Sequence, residues 1–255
     1  MKGGVKYHPI STSKEADKWR DMKNMVLLVF LYMLQGVPLG LTMGSVPFLL
    51  KSKMSFGELA IFSLSSYPYS LKLLWSPIVD SLYLPSIGRR KSWIVPIQAL
   101  LGISMLVLGG GIDETLKQEQ LPVRALGLTF TFFVFLCATQ DIAVDGWALT
   151  LLKGENKAYA STAQTIGLNT GYFLSFTVFL ALNSPEFCNS YLRSTPATEG
   201  LIPLGSYLQF WGLMFLVCDA WLIFLQKEEE DEDEIIDDIK TVYTTIWDVC
   251  KMQRE

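Results

Sequence analysis

Residues 58–83 read ELAIFSLSSYPYSLKLLWSPIVDSLY, a stretch long and apolar enough to cross a bilayer that nevertheless carries a lysine, Lys72, near its middle. A hydrocarbon core of about 30 Å asks for roughly 20 mainly apolar residues in a helix. Among the polar residues of this stretch, Ser65, Tyr69, Lys72, Ser76 and Asp80 fall at steps of four, three, four and four, so on a helix they form one continuous stripe. Lys72 lies too deep for its ammonium to reach the interface easily, whereas Asp80 sits at one end. Ionisable groups at such depth are costly in lipid and normally face a bundle interior or an aqueous cavity. The stripe therefore predicts neighbouring helices.

The rest of the chain supplies them. Five further stretches of similar character occur at about 25–50, 93–112, 123–152, 157–183 and 205–226. Only helices and closed barrels satisfy their own backbone in lipid, and runs this long are helical. The expected fold is an all-α membrane protein, a six-helix transmembrane bundle over 25–226, flanked by a polar segment at 1–24 and an acidic one at 227–255. Only 18% of the 255 residues are charged, against about 25% in soluble domains. Nine of the 25 acids fall between Glu228 and Asp238, and without them the net charge moves from −4 to +5, so the acidity describes a tail and not a binding face. No short apolar core with a small-residue cleavage site opens the chain, which leaves the first span as its own insertion signal.

Lys and Arg in short loops set orientation. Lys2, Lys6, Lys14, Lys18, Arg20, Lys23, Arg89, Arg90, Lys91, Lys153, Lys157 and Lys227 fall on one side, and Lys51, Lys53, Lys117, Arg124 and Arg193 on the other. The first, richer set is expected in the cytosol, together with both termini. The four cysteines are isolated and the single histidine, His8, lies in the polar N-terminus, so neither a metal centre, a disulfide framework nor a histidine-based triad is expected.

Other spans carry polar groups at helical spacing. Asp141 and Asp145 stand one turn apart with Thr139 and Gln140 beside them. Ser161, Thr165 and Asn169 repeat at steps of four with Gln164 adjoining, and the first span contributes Gln35 and Thr42. Two readings stay open. Lys72 and one aspartate form a buried structural pair while the other groups hydrogen-bond between helices, or the stripes line a translocation path with Lys72, Tyr69, Ser76, Gln35, Gln140, Asp141, Asp145 and Asn169 in its cavity. Paired carboxylates can also serve acid–base chemistry, but no GxGD-like element surrounds either aspartate, so neither an enzyme nor any cofactor is expected. Gly36, Gly40 and Gly44, and Gly167 and Gly171, recur at four-residue intervals suited to close helix packing, and Pro38 and Pro47 predict kinks in the first span.

Several long motifs are similar to those of the acetyl-coenzyme A transporter family, relatives of the major facilitator superfamily. They are Leu71 to Asp80 followed by Gly88-Arg89-Arg90-Lys91-Ser92-Trp93, Ala138-Thr139-Gln140-Asp141-Ile142-Ala143-Val144-Asp145-Gly146-Trp147-Ala148, and Gln35 to Gly40. Tyr159 to Thr162, Gly171 to Leu174 and Phe187-Cys188-Asn189 also fit, so the resemblance runs from about 25 to 226. It implies the N-terminal half of a twelve-helix carrier in the endoplasmic reticulum membrane that imports acetyl-coenzyme A by alternating access. Its partners are then the bilayer, acetyl-coenzyme A as cargo and a C-terminal six-helix bundle that this chain lacks; no nucleic acid is involved. The resemblance also implies a cytosolic latch between Asp80 and Arg89 or Arg90, although Ser76 stands where the superfamily has glycine and residues 82–87 lengthen the link. With half of the site absent, the expectation is a fragment, or else a half that pairs with another chain as a homo-oligomer. One cationic side chain is a thin match for the several negative charges of acetyl-coenzyme A, which leaves another bulky anionic metabolite, such as a glutathione conjugate, as cargo; bacterial muropeptide permeases also share the Trp-x-Pro-x-x-Asp and Ala-Thr-Gln-Asp-like elements, so a muropeptide-like cargo stays open too. A non-transporting scaffold with the acidic tail as its docking segment is the alternative of a different class.

Overall fold

The computed structural model describes residues 10–152, 154–224, 226, 228 and 243–244, with side chains from residue 19 onward apart from residues 154 and 155. His8, Lys153, Lys227, Cys250 and most of the acidic 227–255 segment lie outside the described residues. The described residues are helical, without strands. Five helical runs are long and apolar enough to cross a membrane: Trp19–Leu50, Lys91–Gly109, Val123–Leu151, Asn156–Asn183 and Leu204–Phe224. The chain is a multi-pass membrane protein.

The first run is not one regular helix. Helix α1 (Ile10–Gly40) passes into a π turn at Leu41–Ser45 and resumes as α2 (Val46–Leu50). Pro38 explains the change of winding. It has no N–H to give to the carbonyl one turn earlier, and its own carbonyl accepts the buried Thr42 hydroxyl at 2.7 Å, which loosens the ladder there.

The stretch around Lys72 departs most from expectation. A single helix over 58–83 is not formed. The chain instead runs through α3 (Phe56–Ser63), a 3-10 turn at Leu64–Ser66, α4 (Tyr67–Ser70), a 3-10 turn at Lys72–Leu74 and α5 (Ser76–Ser81). Pro68 and Pro77 cannot donate to the ladder. The hydroxyls of Ser63, Ser66 and Ser76 turn back onto the carbonyls of Ala60, Ser63 and Leu73, competing with the backbone for the same acceptors. Hydropathy registers neither effect, which is why length and apolarity alone suggested an unbroken span.

The chain continues through α6 (Lys91–Gly109), the short α7 (Ile112–Lys117) and α8 (Val123–Leu151). Helix α9 (Ala160–Phe173) is interrupted by a second π turn, Leu174–Val178, before α10 (Phe179–Asn183). The short α11 (Pro185–Tyr191) precedes α12 (Leu204–Phe224).

Helix α8 is the hub: α1 and α6 pack against it, as do the pieces of the 56–81 segment. Its aromatic side chains Phe130, Phe133 and Trp147 are fully enclosed. Two glycine seams flank it. Along the first, a Cβ on Gly36 meets the Gly171 backbone at 3.0 Å and one on Gly40 meets the Tyr172 carbonyl at 2.8 Å, so α1 and α9 touch backbone to backbone. The second joins α6 to α12, where a Cβ on Gly102 would meet the Gly212 carbonyl at 2.9 Å and one on Gly109 that of Gly205 at 2.7 Å. In lipid, where apolar surface gains little from leaving the solvent, such close van der Waals approach is what holds helices together.

Candidate functional site

Near the middle of the bundle, four separate elements converge on two carboxylates of α8. Lys72, on the 3-10 turn, binds Asp141 directly and reaches Asp145 at 3.4 Å. Tyr69 donates its hydroxyl to Asp141 at 3.1 Å, and the Lys72 ammonium sits 5.3 Å from the Tyr69 ring centre. From α1, the enclosed Tyr32 donates to Asp145 at 2.7 Å. From α9, Gln164 donates to Asp145 at 2.8 Å and to Asp141 at 3.5 Å. Trp75 adds an indole N–H to Thr139 Oγ1 at 3.1 Å, two residues before Asp141 on α8.

The local geometry follows from the broken helix. The tight turn at Lys72–Leu74, with Leu71 at φ −96° and Trp75 at φ −118°, reorients the chain between two prolines. Lys72 and Trp75 reach α8 from it, and Tyr69 does so from α4 just before it. The i, i+4 spacing of Asp141 and Asp145 puts both carboxylates on one face of α8.

The two aspartates differ. The Asp141 side chain is wholly buried, while 40% of Asp145 and 24% of Lys72 is exposed. One ammonium faces two carboxylates, so the formal charge of the group is −1 with all three ionised. Breaking a buried pair is expensive because the survivor is left uncompensated, whereas an intact pair contributes little net stability. Such a triad is a poor cement and a sensitive charge balance.

The other sequence candidates do not bond the triad. Among the described residues the Ser76 hydroxyl bonds only the Leu73 carbonyl, and the Asn169 amide only that of Thr165. Gln140 donates to Gln98 of α6 at 3.2 Å, away from the triad. Gln35 is fully buried, and its amide finds no partner among the described residues. Tyr32 was not among the candidates; a tyrosine in an apolar run has no charge to betray it.

A second polar cluster occupies one end of the bundle. Arg90 binds Asp80 at 2.6 Å, and Arg89 donates to the Asp80 main-chain carbonyl at 2.7 and 3.0 Å. The Arg90 guanidinium lies against Gly146, where a Cβ would overlap it, so this cluster abuts α8 one residue beyond Asp145. Glu228, in the segment after α12, closes the group. Its carboxylate accepts the main-chain N–H groups of Arg90 and Lys91 at 2.7 and 3.0 Å, at the start of α6. Lys91 returns its ammonium to the Gln226 carbonyl at 2.8 Å. Gly88, at φ +104°, makes the turn that leaves room for Glu228.

A polytopic helical bundle with a lysine held between carboxylates of a central helix has the makings of a membrane transporter. Residues 24–252 match the family described as Acetyl-coenzyme A transporter 1, and the chain belongs to that family of membrane transporters. It is 50% identical over 227 residues to the uncharacterized membrane protein YBR220C of Saccharomyces cerevisiae, a match covering 82% of this chain and 40% of that one. It is 45% identical over 224 residues to the uncharacterized protein C21B10.09 of Schizosaccharomyces pombe, covering 88% and 43%. More distantly, 27% identity over 150 residues relates it to the anhydromuropeptide permease of Escherichia coli, covering 58% and 29%. The chain thus spans less than half the length of these curated relatives.

Proposed function

We propose that this chain contributes one six-helix bundle to a twelve-helix carrier that moves acetyl-coenzyme A from the cytosol into the endoplasmic reticulum lumen by alternating access. The second bundle would come from the additional length that the relatives possess. The observation that carries the reading is the Lys72–Asp141–Asp145 triad of a chain belonging to this transporter family. In carriers of this kind the substrate site lies near the midplane between two repeats, which is where a charge group of this sort can change partners.

The triad refines how an anionic cargo is met. Held by two carboxylates, Lys72 is not a free cation waiting for phosphate. Neutralising or moving one carboxylate leaves a neutral pair, and Lys72 becomes available to an anion only once its remaining carboxylate is also neutralised or displaced. In this reading Lys72 is the group that exchanges an aspartate for the cargo, Asp141 is its resting partner, and Asp145 sits at the accessible edge. Tyr32, Tyr69 and Gln164 hold the carboxylates in place during the exchange. Asp80 with Arg89 and Arg90 forms the cytosolic latch that closes one access state. Gln35, Gln140, Ser76 and Asn169 are then support for the bundle and its cavity, and both termini lie in the cytosol. The permease relative supports a second cargo class, a bulky anionic saccharide–peptide, on the same machinery.

The deciding experiment is uptake of labelled acetyl-coenzyme A into liposomes, comparing this chain with a twelve-span version completed from the same source. Uptake by the longer protein alone supports the proposal. Uptake by the 255-residue chain alone would instead make it a self-pairing carrier. Folded protein with no uptake in either form would overturn acetyl-coenzyme A as cargo.

A further inference from the structure

Away from the triad, and bordered by Gln226 of the second polar cluster, a cavity of about 710 Å³ opens between α1 and α12. Its walls include Trp19, Lys23 and Phe30 from α1 and Met214, Val217 and Trp221 from α12. The two helices run in opposite senses here, so the end of α12 meets the beginning of α1. Polarity is graded along the groove. Phe30 and Met214 form its deep end, and Lys23 stands at its mouth between Trp19 and Trp221, both of which keep much of their surface open (64% and 40%). Lys23 has no ion-pair or hydrogen-bond partner among the described residues, whereas the neighbouring Asn24 amide is already committed to the Leu151 carbonyl at 2.9 Å.

The dimensions decide what fits. From Trp19 to Phe30 is eleven residues, about 16 Å along the helix axis. That is three turns, still too short to seat a spanning helix of another chain, which needs about 30 Å of seam. It suits the upper part of an acyl chain. Tryptophans mark the headgroup level of a bilayer, and a lysine at that level is drawn to anionic lipid. A groove that is apolar below, aromatic at its rim and, among its described lining, charged at Lys23 alone complements an amphiphile with one negative head.

We propose that this groove is a binding site for one anionic phospholipid, its acyl chain lying between α1 and α12 and its phosphate at Lys23.

Native mass spectrometry of the full chain released from detergent micelles tests this, with phosphatidylglycerol or phosphatidylcholine of identical acyl chains added. One lysine–phosphate contact near the surface predicts about fivefold preference for phosphatidylglycerol. Lys23→Gln should erase that preference, Lys51→Gln should leave it intact, and Val217→Trp, which fills the groove, should reduce retention of both lipids. Equal retention of the two lipids by the unaltered chain, or a preference that survives Lys23→Gln, would overturn the assignment. So would loss of a dimer on Val217→Trp with lipid retention unchanged, which would give the groove to a second copy. A melting curve for each variant checks folding. If Val217→Trp unfolds the chain, the charge-neutralising Lys23→Gln decides alone.

Discussion

Replacing Lys72 by methionine preserves the volume of the side chain and deletes its charge. Asp141 then remains wholly buried with only the Tyr69 hydroxyl at 3.1 Å and the Gln164 amide at 3.5 Å to support it. Removing one member of a buried ion pair costs about 3–5 kcal/mol. Because 24% of the lysine side chain is exposed, water relieves part of the loss, and we expect about 2–3 kcal/mol. The Asp145 contact, longer and to a carboxylate 40% exposed, adds under about 1 kcal/mol. If the cost is chiefly that of the stranded Asp141 charge, Asp141→Asn on the Lys72→Met background should recover it. A double-mutant cycle, read by equilibrium unfolding in mixed detergent micelles, should then give a coupling of at least about 2–3 kcal/mol. Additive single losses, agreeing within about 0.5 kcal/mol, would refute the idea that the three residues act as one charge group. The same double variant separates structure from transport: it should be folded yet inactive in a complete carrier, since Lys72 is the group assigned to the cargo.

Other sites make independent predictions. In the complete protein, Lys72→Met should weaken substrate binding more than Lys91→Met, measured by isothermal titration, and equal losses would point to a general electrostatic effect. Gly36→Val should destabilise the bundle by at least about 1–3 kcal/mol through overpacking against Gly171. Gly57→Val, where a Cβ meets nothing within 4 Å, should leave the melting temperature within a degree or two. Glu228→Ala removes the acceptor of two helix-start N–H groups, a cap worth about 0.5–2 kcal/mol. Amide exchange at residues 90 and 91 should therefore accelerate while that of α8 does not change.

The parts of this molecule that could be read in advance are those where charge and hydropathy conflict. Lys72, Asp141 and Asp145 stand out because each is an ion in an apolar run, and the i, i+4 spacing of the aspartates fixes a shared face. The first glycine seam was legible for a similar reason, as a strict repeat of four. Its counterpart was not. Gly102, Gly109, Gly205 and Gly212 repeat at seven, and each pair makes sense only once α6 and α12 are side by side. Ser76 and Asn169 bond their own backbone, as a hydroxyl or amide at helical spacing can do as readily as it serves a neighbour. Gln35 is buried as its place in an apolar run suggests, but away from the triad partners. Glu228 was hidden by company: one acid among nine in a charge run has no local mark that singles it out as the one reaching back to α6. The break at Lys72 was signalled by Pro68, Pro77 and the serines before them, a signal that a hydropathy window averages away.

The two π turns, Leu41–Ser45 and Leu174–Val178, face one another across the α1–α9 seam, joined where the Ser45 hydroxyl donates to the Ser175 carbonyl. In an ideal α-helix a four-residue repeat overshoots a full turn by about 40° at each step, so Gly36, Gly40 and Gly44 would drift off a common face. A turn closed by i→i+5 bonds absorbs that overshoot and keeps Gly44 over Phe176 as Gly40 is over Tyr172. The extra residue on one helix is thus answered by an extra residue on the other. In this arrangement the two insertions behave as a single inherited character: losing one alone throws the second half of its helix out of phase, and only a paired loss restores the match.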